Sequence, residues 1–182
     1  FFLLMSYFKK SDFVVHLAGE NRPKDENDFE EVNSGLTSLI CDYIRLTKKN
    51  IPIIFASSLQ AEKDNPYGKS KLSAEISIKN LTNDTGNSAY IYRLPGVFGK
   101  WCKPNYNSVV ATFCHNISHH LPIQVNDPSF ELSLVYIDDV IEEFIKAIQG
   151  ERTDVKAPAV QPEYIIKLGD LSDQIKIFIE SR

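Results

Sequence analysis

The hydrophobic positions form three short continuous runs, separated by longer amphipathic stretches. The runs are DFVVHLAG (12–19), IPIIFASS (51–58) and AYIYRLPG (89–96). Continuous apolar runs of this length are typical of strands that are buried on both faces of a parallel sheet. The stretches at about 28–49 and 67–81 place apolar residues at helical spacing. The order β-α-β-α-β predicts an α/β fold with a parallel sheet and right-handed crossovers.

The pattern changes after Gly99, where the apolar runs become shorter and alternate with polar residues. We expect a loop at 100–107, a helix from Asn107 to about His119 and an exposed polar loop at 151–162. Short strands are predicted at 123–125 and 131–137, a helix at 138–150, and a last strand and helix in the final 20 residues or so. The opening FFLLMSYFKK predicts a buried helix, because it is far shorter than the ~20 residues that span a bilayer.

Composition excludes several classes of function. The chain has 182 residues, of which 43% are hydrophobic and 24% charged, and this fits one globular domain with a sizeable core. The net charge is −4 without a basic stripe, so we expect no nucleic-acid partner, and no membrane partner either. The three cysteines lack metal-type spacing and indicate reduced thiols of a cytoplasmic protein.

Distinctive residues stand at the predicted carboxyl ends of the strands, where open parallel sheets bind their ligands. Tyr67 and Lys71 follow the second strand, and their i, i+4 spacing places them on one helix face. A nearby ammonium lowers a phenol's pKa, so the two could transfer a proton, with Ser58 as a hydroxyl donor. Tyr-x-x-x-Lys is also common on ordinary helix surfaces, and this alternative remains open at this point.

Several motifs together resemble the extended short-chain dehydrogenases/reductases, the epimerase/dehydratase group that acts on nucleotide sugars. They are HLAG, NSG, the paired serines, YGKSK, RLPGVFG and VYIDDV, in that order along the chain. DNPYGKSK, FGKWCKPNYNS and IQVNDPSFEL are similar to the capsular-polysaccharide UDP-sugar 4-keto reductases. The family's first strand and glycine-rich turn are absent before residue 12, and no cupin-like segment is present. We therefore expect a Rossmann-like fragment of a larger protein.

The resemblance implies roles for individual residues. Tyr67 would be the acid/base, Lys71 its electrostatic partner and ribose ligand, and Ser58 the donor to the substrate oxygen. Ser58 is favoured over Ser57 by family spacing, since neighbouring strand residues face opposite sides. NADP(H) or NAD(H) would be bound by Tyr67, Lys71 and six further residues: Leu17, Ala18, Gly19, Asn33, Ser57 and Pro95. The UDP-sugar would contact Gly96, Lys103, Asn105 and Asn107, with Gly96 replacing the family's usual asparagine.

The implied function is reduction of the 4-keto group of a UDP-6-deoxy-N-acetylhexosamine, for capsule or O-antigen sugars. A nucleotide-sugar C4-epimerase and a non-catalytic sugar-nucleotide-binding or dimerisation module remain alternatives. We do not expect this chain to catalyse dehydration, because Leu59 and Gln60 stand where the dehydratases carry an Asp-Glu pair. Residues 1–99 would form a partial NAD(P)-binding domain and 100–182 the substrate-binding part, and the family resemblance implies a homodimer.

A metal site is not expected. His115 and His119 share one predicted helix face, but no carboxylate or cysteine accompanies them in a ligating pattern. A polar surface helix is the preferred interpretation of these two histidines.

Overall fold

The computed structural model describes residues 2–152 and 158–181. The chain divides into two compact units. The first comprises Phe1–Leu94 and Phe144–Ala159, and the second comprises Pro95–Glu143 and Val160–Arg182. The predicted loop at 151–162 falls partly on residues 153–157, which lie outside the described residues.

The first unit contains the predicted parallel sheet. Its strands are β1 (Val14–His16), β2 (Ile53–Ser58) and β3 (Ala89–Leu94), hydrogen-bonded in the order β1-β2-β3. Both pairings are parallel, with His16 opposite Phe55 and Ser58 opposite Leu94. The α/β prediction is therefore confirmed, and the three carboxyl ends lie along one edge of this sheet.

Helices connect these strands. Helix α1 spans Phe2–Lys10, and a π-helical segment at Phe29–Gly35 leads into α2 (Leu36–Thr47). A 3-10 turn at Leu59–Glu62 follows β2 and precedes α3 (Pro66–Thr85). Apolar residues of β2, α2 and α3 form the core of this unit.

The start of α3 is specified by local chemistry. The side chain of Asn65 accepts a hydrogen bond from the backbone N–H of Gly68 at 2.7 Å, and Pro66 occupies the first helical position. Both are strong signals for a helix N-terminus. The helix ends at Gly86, whose φ of 74° is the left-handed conformation of a helix C-cap. Tyr67 therefore lies in the first turn of the helix.

Over the residues described, the second unit has a mixed sheet and three helices, and the last residues of α5 belong to the first unit. Strand β4 (Gly96–Phe98) pairs parallel with β5 (Glu131–Tyr136), which pairs antiparallel with β6 (Glu163–Lys167). The helices are α4 (Val109–Ser118), α5 (Ile137–Ile148) and α6 (Leu168–Glu180). Phe113 of α4 and Leu171 and Ile175 of α6 form a buried hydrophobic cluster of this unit.

Two sequence expectations are wrong. The segment 123–125 is not a strand; Ile123 and Val125 lie in coil and pack against the core of the second unit, which explains their apolar character. Helix α1 forms as expected, but it is not buried on all sides: over Leu4–Lys10, whose burial is described, Phe8 is buried while Tyr7 is 60% exposed. Among the described helices, none is both long and apolar enough to cross a membrane.

Candidate active site

The first unit brings together four of the residues singled out at the strand ends. Gly19 follows β1, Ser58 closes β2, and Tyr67 and Lys71 lie in the first two turns of α3. Pro95 comes directly after the last residue of β3 and belongs to the second unit.

The Ser58 hydroxyl is hydrogen-bonded to the phenol of Tyr67. Ser58 also caps the following 3-10 turn, where its Oγ accepts from the backbone N–H of Gln60 at 3.2 Å. The Tyr67 ring is half-buried, and its edge meets the Phe29 ring with centroids 5.6 Å apart. Two hydroxyl groups are thus held next to each other, and one oxygen of a substrate could contact both.

The pKa of Tyr67 is raised, which is the opposite of the sequence expectation. Burial of the phenol raises its pKa, and the hydrogen bond from Ser58 lowers it to a smaller extent. The Lys71 ammonium is not among the causes of this shift. The phenol is therefore protonated at neutral pH.

Lys71 is buried beneath the strand ends. Its Nζ donates to the carbonyl oxygen of Ala56 at 3.0 Å and lies 4.9 Å from the centroid of the Phe55 ring. Burial lowers the Lys71 pKa to about 8, and the nearby Glu75 carboxylate partly opposes this shift. A Cβ added to Gly19 would lie 3.1 Å from this Nζ, so the β1 turn passes directly over the ammonium.

The side chain of Asn33 links two segments, the turn that follows β1 and helix α3. Its Oδ1 accepts from the Glu20 N–H at 2.8 Å, and its Nδ2 donates to the Glu20 carbonyl at 3.1 Å and to Ser70 Oγ at 3.0 Å. Ser70 in turn donates to the carbonyl of Tyr67 at 2.8 Å. These bonds use both N–H groups and the oxygen of the Asn33 amide, so its effect on a ligand is exerted through the position of the backbone.

Ser57 points away from Ser58, as strand alternation requires. It donates to Glu75 Oε1 at 2.6 Å, and Arg93 donates to both oxygens of the same carboxylate at 2.8 Å each. Burial by itself raises the pKa of Glu75, but the hydrogen bonds and charge of Arg93 leave it below its usual value. Only the backbone of Ser57 is left to meet a cofactor.

The Glu75–Arg93 pair was not recognised from the sequence. Glu75 is 99% removed from solvent and joins α3 to the ends of β2 and β3. A signal was present, because Arg93 is a charged residue inside a run that otherwise predicts a buried strand. A buried charge in such a place requires a partner of opposite sign.

The end of β1 fits a dinucleotide cofactor. Leu17, Ala18 and Gly19 are exposed although they are apolar or small, with Leu17 at 60%. A cofactor would cover this surface, and backbone without bulky side chains allows it to approach closely. The ammonium of Lys71 directly below Gly19 offers donors for ribose hydroxyls.

The predicted substrate residues lie in the second unit. Asn105 is tied to α4, since its N–H donates to Thr112 Oγ1 at 2.9 Å and its Nδ2 to Asn116 Oδ1 at 3.1 Å. Lys103 and Asn107 are exposed. A Cβ on Gly96 would come within 2.9 Å of the Leu134 side chain, so the asparagine usual in the family would be crowded here.

The histidines of α4 interact with each other. The rings of His115 and His119 have centroids 4.3 Å apart, and Nδ1 of His119 is 2.8 Å from the carbonyl oxygen of His115. Over residues 2–152 and 158–181, no group of three or more His, Cys, Asp or Glu side chains is arranged to hold a metal ion.

Comparison with known proteins identifies the family. The model of the NAD dependent epimerase/dehydratase family matches residues 3–161. The chain is 47% identical over 179 residues to a UDP-2-acetamido-2,6-beta-L-arabino-hexul-4-ose reductase of Pseudomonas aeruginosa, covering 98% of this chain and 48% of that protein. The chain thus spans about half the length of this relative.

Solved structures agree with this match. The capsular polysaccharide assembling protein CapF of Staphylococcus aureus is 43% identical, with a TM-score of 0.86 over 98% of this chain and 49% of CapF. A UDP-glucuronic acid 4-epimerase of Bacillus cereus, crystallised with UDP-glucuronic acid and NAD, superposes with a TM-score of 0.84. That match covers 98% of this chain and 62% of the epimerase, but at 17% identity it shows only a shared fold. On the family match and these relatives, the chain belongs to the NAD dependent epimerase/dehydratase family.

Proposed function

We propose that this chain is part of an NAD(P)H-dependent reductase that converts the 4-keto group of a UDP-6-deoxy-N-acetylhexosamine to an alcohol, in capsule or O-antigen sugar synthesis. The observation that carries the proposal is the protonated phenol of Tyr67, hydrogen-bonded to Ser58, with the buried Lys71 one turn further along α3. The relation to a 4-keto reductase of Pseudomonas aeruginosa supports the choice of substrate.

Reduction requires a protonated acid at the position of Tyr67. The keto oxygen must gain a proton as its carbon gains a hydride, so the acid has to begin the reaction protonated. In this mechanism Ser58 donates a hydrogen bond to the same oxygen and stabilises the charge that develops there. When bound, the nicotinamide cofactor supplies the hydride.

We expect the two parts of the chain to bind different ligands. We assign NADP(H) or NAD(H) to the partial Rossmann-like domain of residues 1–99, and the UDP-sugar to residues 100–182. We assign the cofactor to Tyr67, Lys71 and six further residues: Leu17, Ala18, Gly19, Asn33, Ser57 and Pro95. Of these, Asn33 acts by bracing the turn after β1. The exposed end of β1 next to Lys71 supports this assignment.

Consumption of cofactor tests the function. With a UDP-4-keto-6-deoxy-N-acetylhexosamine, the protein in its full natural length should oxidise one NADPH or NADH for each sugar reduced. Absorbance of the reduced nicotinamide and chromatography of the sugar measure the two amounts. A C4-epimerase would convert a UDP-hexose without net loss of reduced cofactor, and a binding module would bind the nucleotide sugar without converting it. Either outcome would contradict the reductase.

A homodimer is the proposed assembly. Helices α2 and α3 pack on each other and carry exposed apolar side chains, among them Leu39 and Leu46 on α2 and Leu72 and Ile76 on α3. Leu39 and Leu46 are seven residues apart and share one face of α2, as expected for a helical interface. These residues support a second copy as the partner, because two such faces would bury each other's leucines.

Charge placed on this surface should separate the subunits. We expect sedimentation of the wild-type protein to give the mass of a dimer, and Ile76→Lys to shift it toward the monomer because the ammonium would be buried without a partner. Ile177→Lys is the matched control, since Ile177 is an exposed isoleucine on α6 in the second unit. A wild-type monomer, or a dimer unchanged by Ile76→Lys, would contradict the proposal.

A further inference from the structure

Side chains of α3 that are spaced one helical turn apart contact three consecutive residues at the end of β2. The contacting pairs are Tyr67 with Ser58, Lys71 with Ala56, and Glu75 with Ser57. The first two pairs belong to the candidate site, whereas Glu75 has no part in the reaction described so far. Burying a carboxylate is costly even when it is paired, so stability alone is a weak reason for a charge at this position.

The Glu75 carboxylate bridges two neighbouring strands. Ser57 and Arg93 lie directly opposite each other in the register of β2 and β3. Glu75 accepts from Ser57 at 2.6 Å with one oxygen and from Arg93 at 2.8 Å with each of its two oxygens. A bidentate pair of this kind fixes orientation as well as distance. The residue directly before Ser58 is therefore tied to β3 and to α3.

Arg93 also holds the segment that follows Ser58. Its Nη1 donates to Glu62 Oε1 at 2.7 Å, and Glu62 is the last residue of the 3-10 turn that Ser58 caps. The Glu62 side chain is 71% exposed, so this contact is weaker than the pair with Glu75. Ser58 thus stands between two segments that meet at one arginine, and the place of its hydroxyl against Tyr67 depends on that arginine and its buried partner.

Glu75 also acts on Lys71 through its charge. The two side chains are four residues apart on one face of α3, and both are buried. Opposite charges attract more strongly in such surroundings than in water. Burial lowers the pKa of Lys71 to about 8, and the Glu75 carboxylate works against this shift by raising the pKa. Loss of the carboxylate charge would therefore favour the neutral amine.

The other side chains around Lys71 carry no charge at neutral pH. They are His16 on β1, Phe55 on β2, Tyr67 on α3 and Asn33 on the π-helical segment. Burial and the nearby ammonium lower the pKa of His16 to about 4, and burial raises the pKa of Tyr67, so both rings are neutral. Among the described residues, Glu75 is the carboxylate whose charge acts on Lys71.

We propose that Glu75 is a positioning residue of the candidate active site: together with Arg93 it holds Ser58 against Tyr67, and its charge maintains the ammonium form of Lys71. This inference rests on the proposed function, because it takes Ser58, Tyr67 and Lys71 as the groups that act on substrate and cofactor. Glu75 touches neither ligand and acts through these neighbours.

The charge of Glu75 can be tested without substrate. In the full-length protein labelled with 13C at the lysine Cε atoms, the NMR signal that disappears in Lys71→Met reports the titration of the Lys71 amine. Its midpoint should lie near pH 8 in the wild type and should move down by about one unit in Glu75→Gln, the usual scale for loss of a neighbouring opposite charge. Arg93→Met breaks the same ion pair but keeps the carboxylate, so it should not lower the midpoint. No change in Glu75→Gln, or an equal fall in both variants, would overturn the inference.

Turnover tests the positioning role. Glu75→Gln and Arg93→Met should both lower kcat for the keto sugar, by up to about 100-fold, the scale of a 1 Å misplacement. The alkaline limb of the pH profile should move to lower pH in Glu75→Gln alone, together with the NMR midpoint. Asp84→Asn is the matched control and should change neither, since Asp84 is an exposed α3 carboxylate that is also paired with an arginine, Arg45 at 2.9 Å. Turnover of both pair variants within about threefold of wild type would contradict the proposal.

A double variant separates this role from stability. If Glu75→Gln fails to fold because Arg93 loses its buried partner, Glu75→Gln/Arg93→Met removes both charges and should still show the lowered midpoint. A wild-type midpoint in the double variant would refute the role of Glu75. If the wild-type protein does not reduce the keto sugar, the proposed function fails, and the NMR midpoint still decides whether Glu75 maintains the charge of Lys71.

Discussion

Replacing Tyr67 by phenylalanine should reduce turnover of the keto sugar by about 10²–10⁴-fold, the usual contribution of a positioned general acid. The change removes one oxygen, and the ring keeps its edge contact with Phe29. Because the lost proton transfer matters in the transition state, kcat should fall while KM changes little. Steady-state kinetics with the full-length protein measure both constants.

The control for this prediction is Tyr7→Phe, which removes an exposed phenol from α1 and should leave both constants unchanged. The pH profile is a second readout. Lys71 is protonated below its pKa of about 8 and loses its charge as the pH rises through that value. Wild-type turnover should therefore decline on the alkaline side, as Lys71, the proposed ribose ligand, loses its charge and one of its N–H donors. A Tyr67→Phe variant within about threefold of wild-type turnover would exclude Tyr67 as the acid.

The sequence predicted the first unit well because its signals are strong and local. Continuous apolar runs indicated three buried strands, and their alternation with helices indicated the parallel sheet that the structure contains. The rule for strand ends then pointed to the region of Gly19, Ser58 and Tyr67 without knowledge of contacts. The alternation of side chains along a strand also predicted that Ser57 and Ser58 face opposite sides of the sheet.

Quantities that depend on burial could not be predicted in the same way. The spacing of Tyr67 and Lys71 suggested a lowered phenol pKa, but burial raises it, and Lys71 is directed to the carbonyl of Ala56. Spacing along a helix gives a shared face, but it does not give the depth of either group. The partner of Arg93 likewise could not be predicted from the sequence, because Glu75 is 18 residues away and contacts Arg93 only through tertiary packing.

Gly68 is the residue whose replacement should damage both folding and catalysis. A Cβ at this position would lie 2.2 Å from the carbonyl oxygen of Gln60 and 2.5 Å from that of Lys63. Both contacts are with backbone, so no side-chain rotation can relieve them. We expect Gly68→Ala to lower the free energy of unfolding by at least about 2 kcal/mol, near the upper part of the usual range for overpacking. Urea denaturation followed by circular dichroism measures this change.

The same substitution should also lower turnover by about 100-fold, the scale expected for a misplacement of about 1 Å. To accept the methyl group, the 3-10 turn that follows Ser58 must move away from the first turn of α3, which carries Tyr67. The two hydroxyl groups that are now hydrogen-bonded would separate, even in molecules that still fold.

Gly35→Ala provides the matched comparison for Gly68→Ala. Gly35 has a helical φ of −63°, and the nearest atom to an added Cβ is 3.7 Å away. Alanine there should be neutral or should stabilise the protein by up to about 1 kcal/mol, as it does in ordinary helices. Equal stability of the two variants would mean that the turn before α3 can move to accept the methyl group without lowering the free energy of unfolding. The position of Tyr67 would then not depend on the close approach of these two segments.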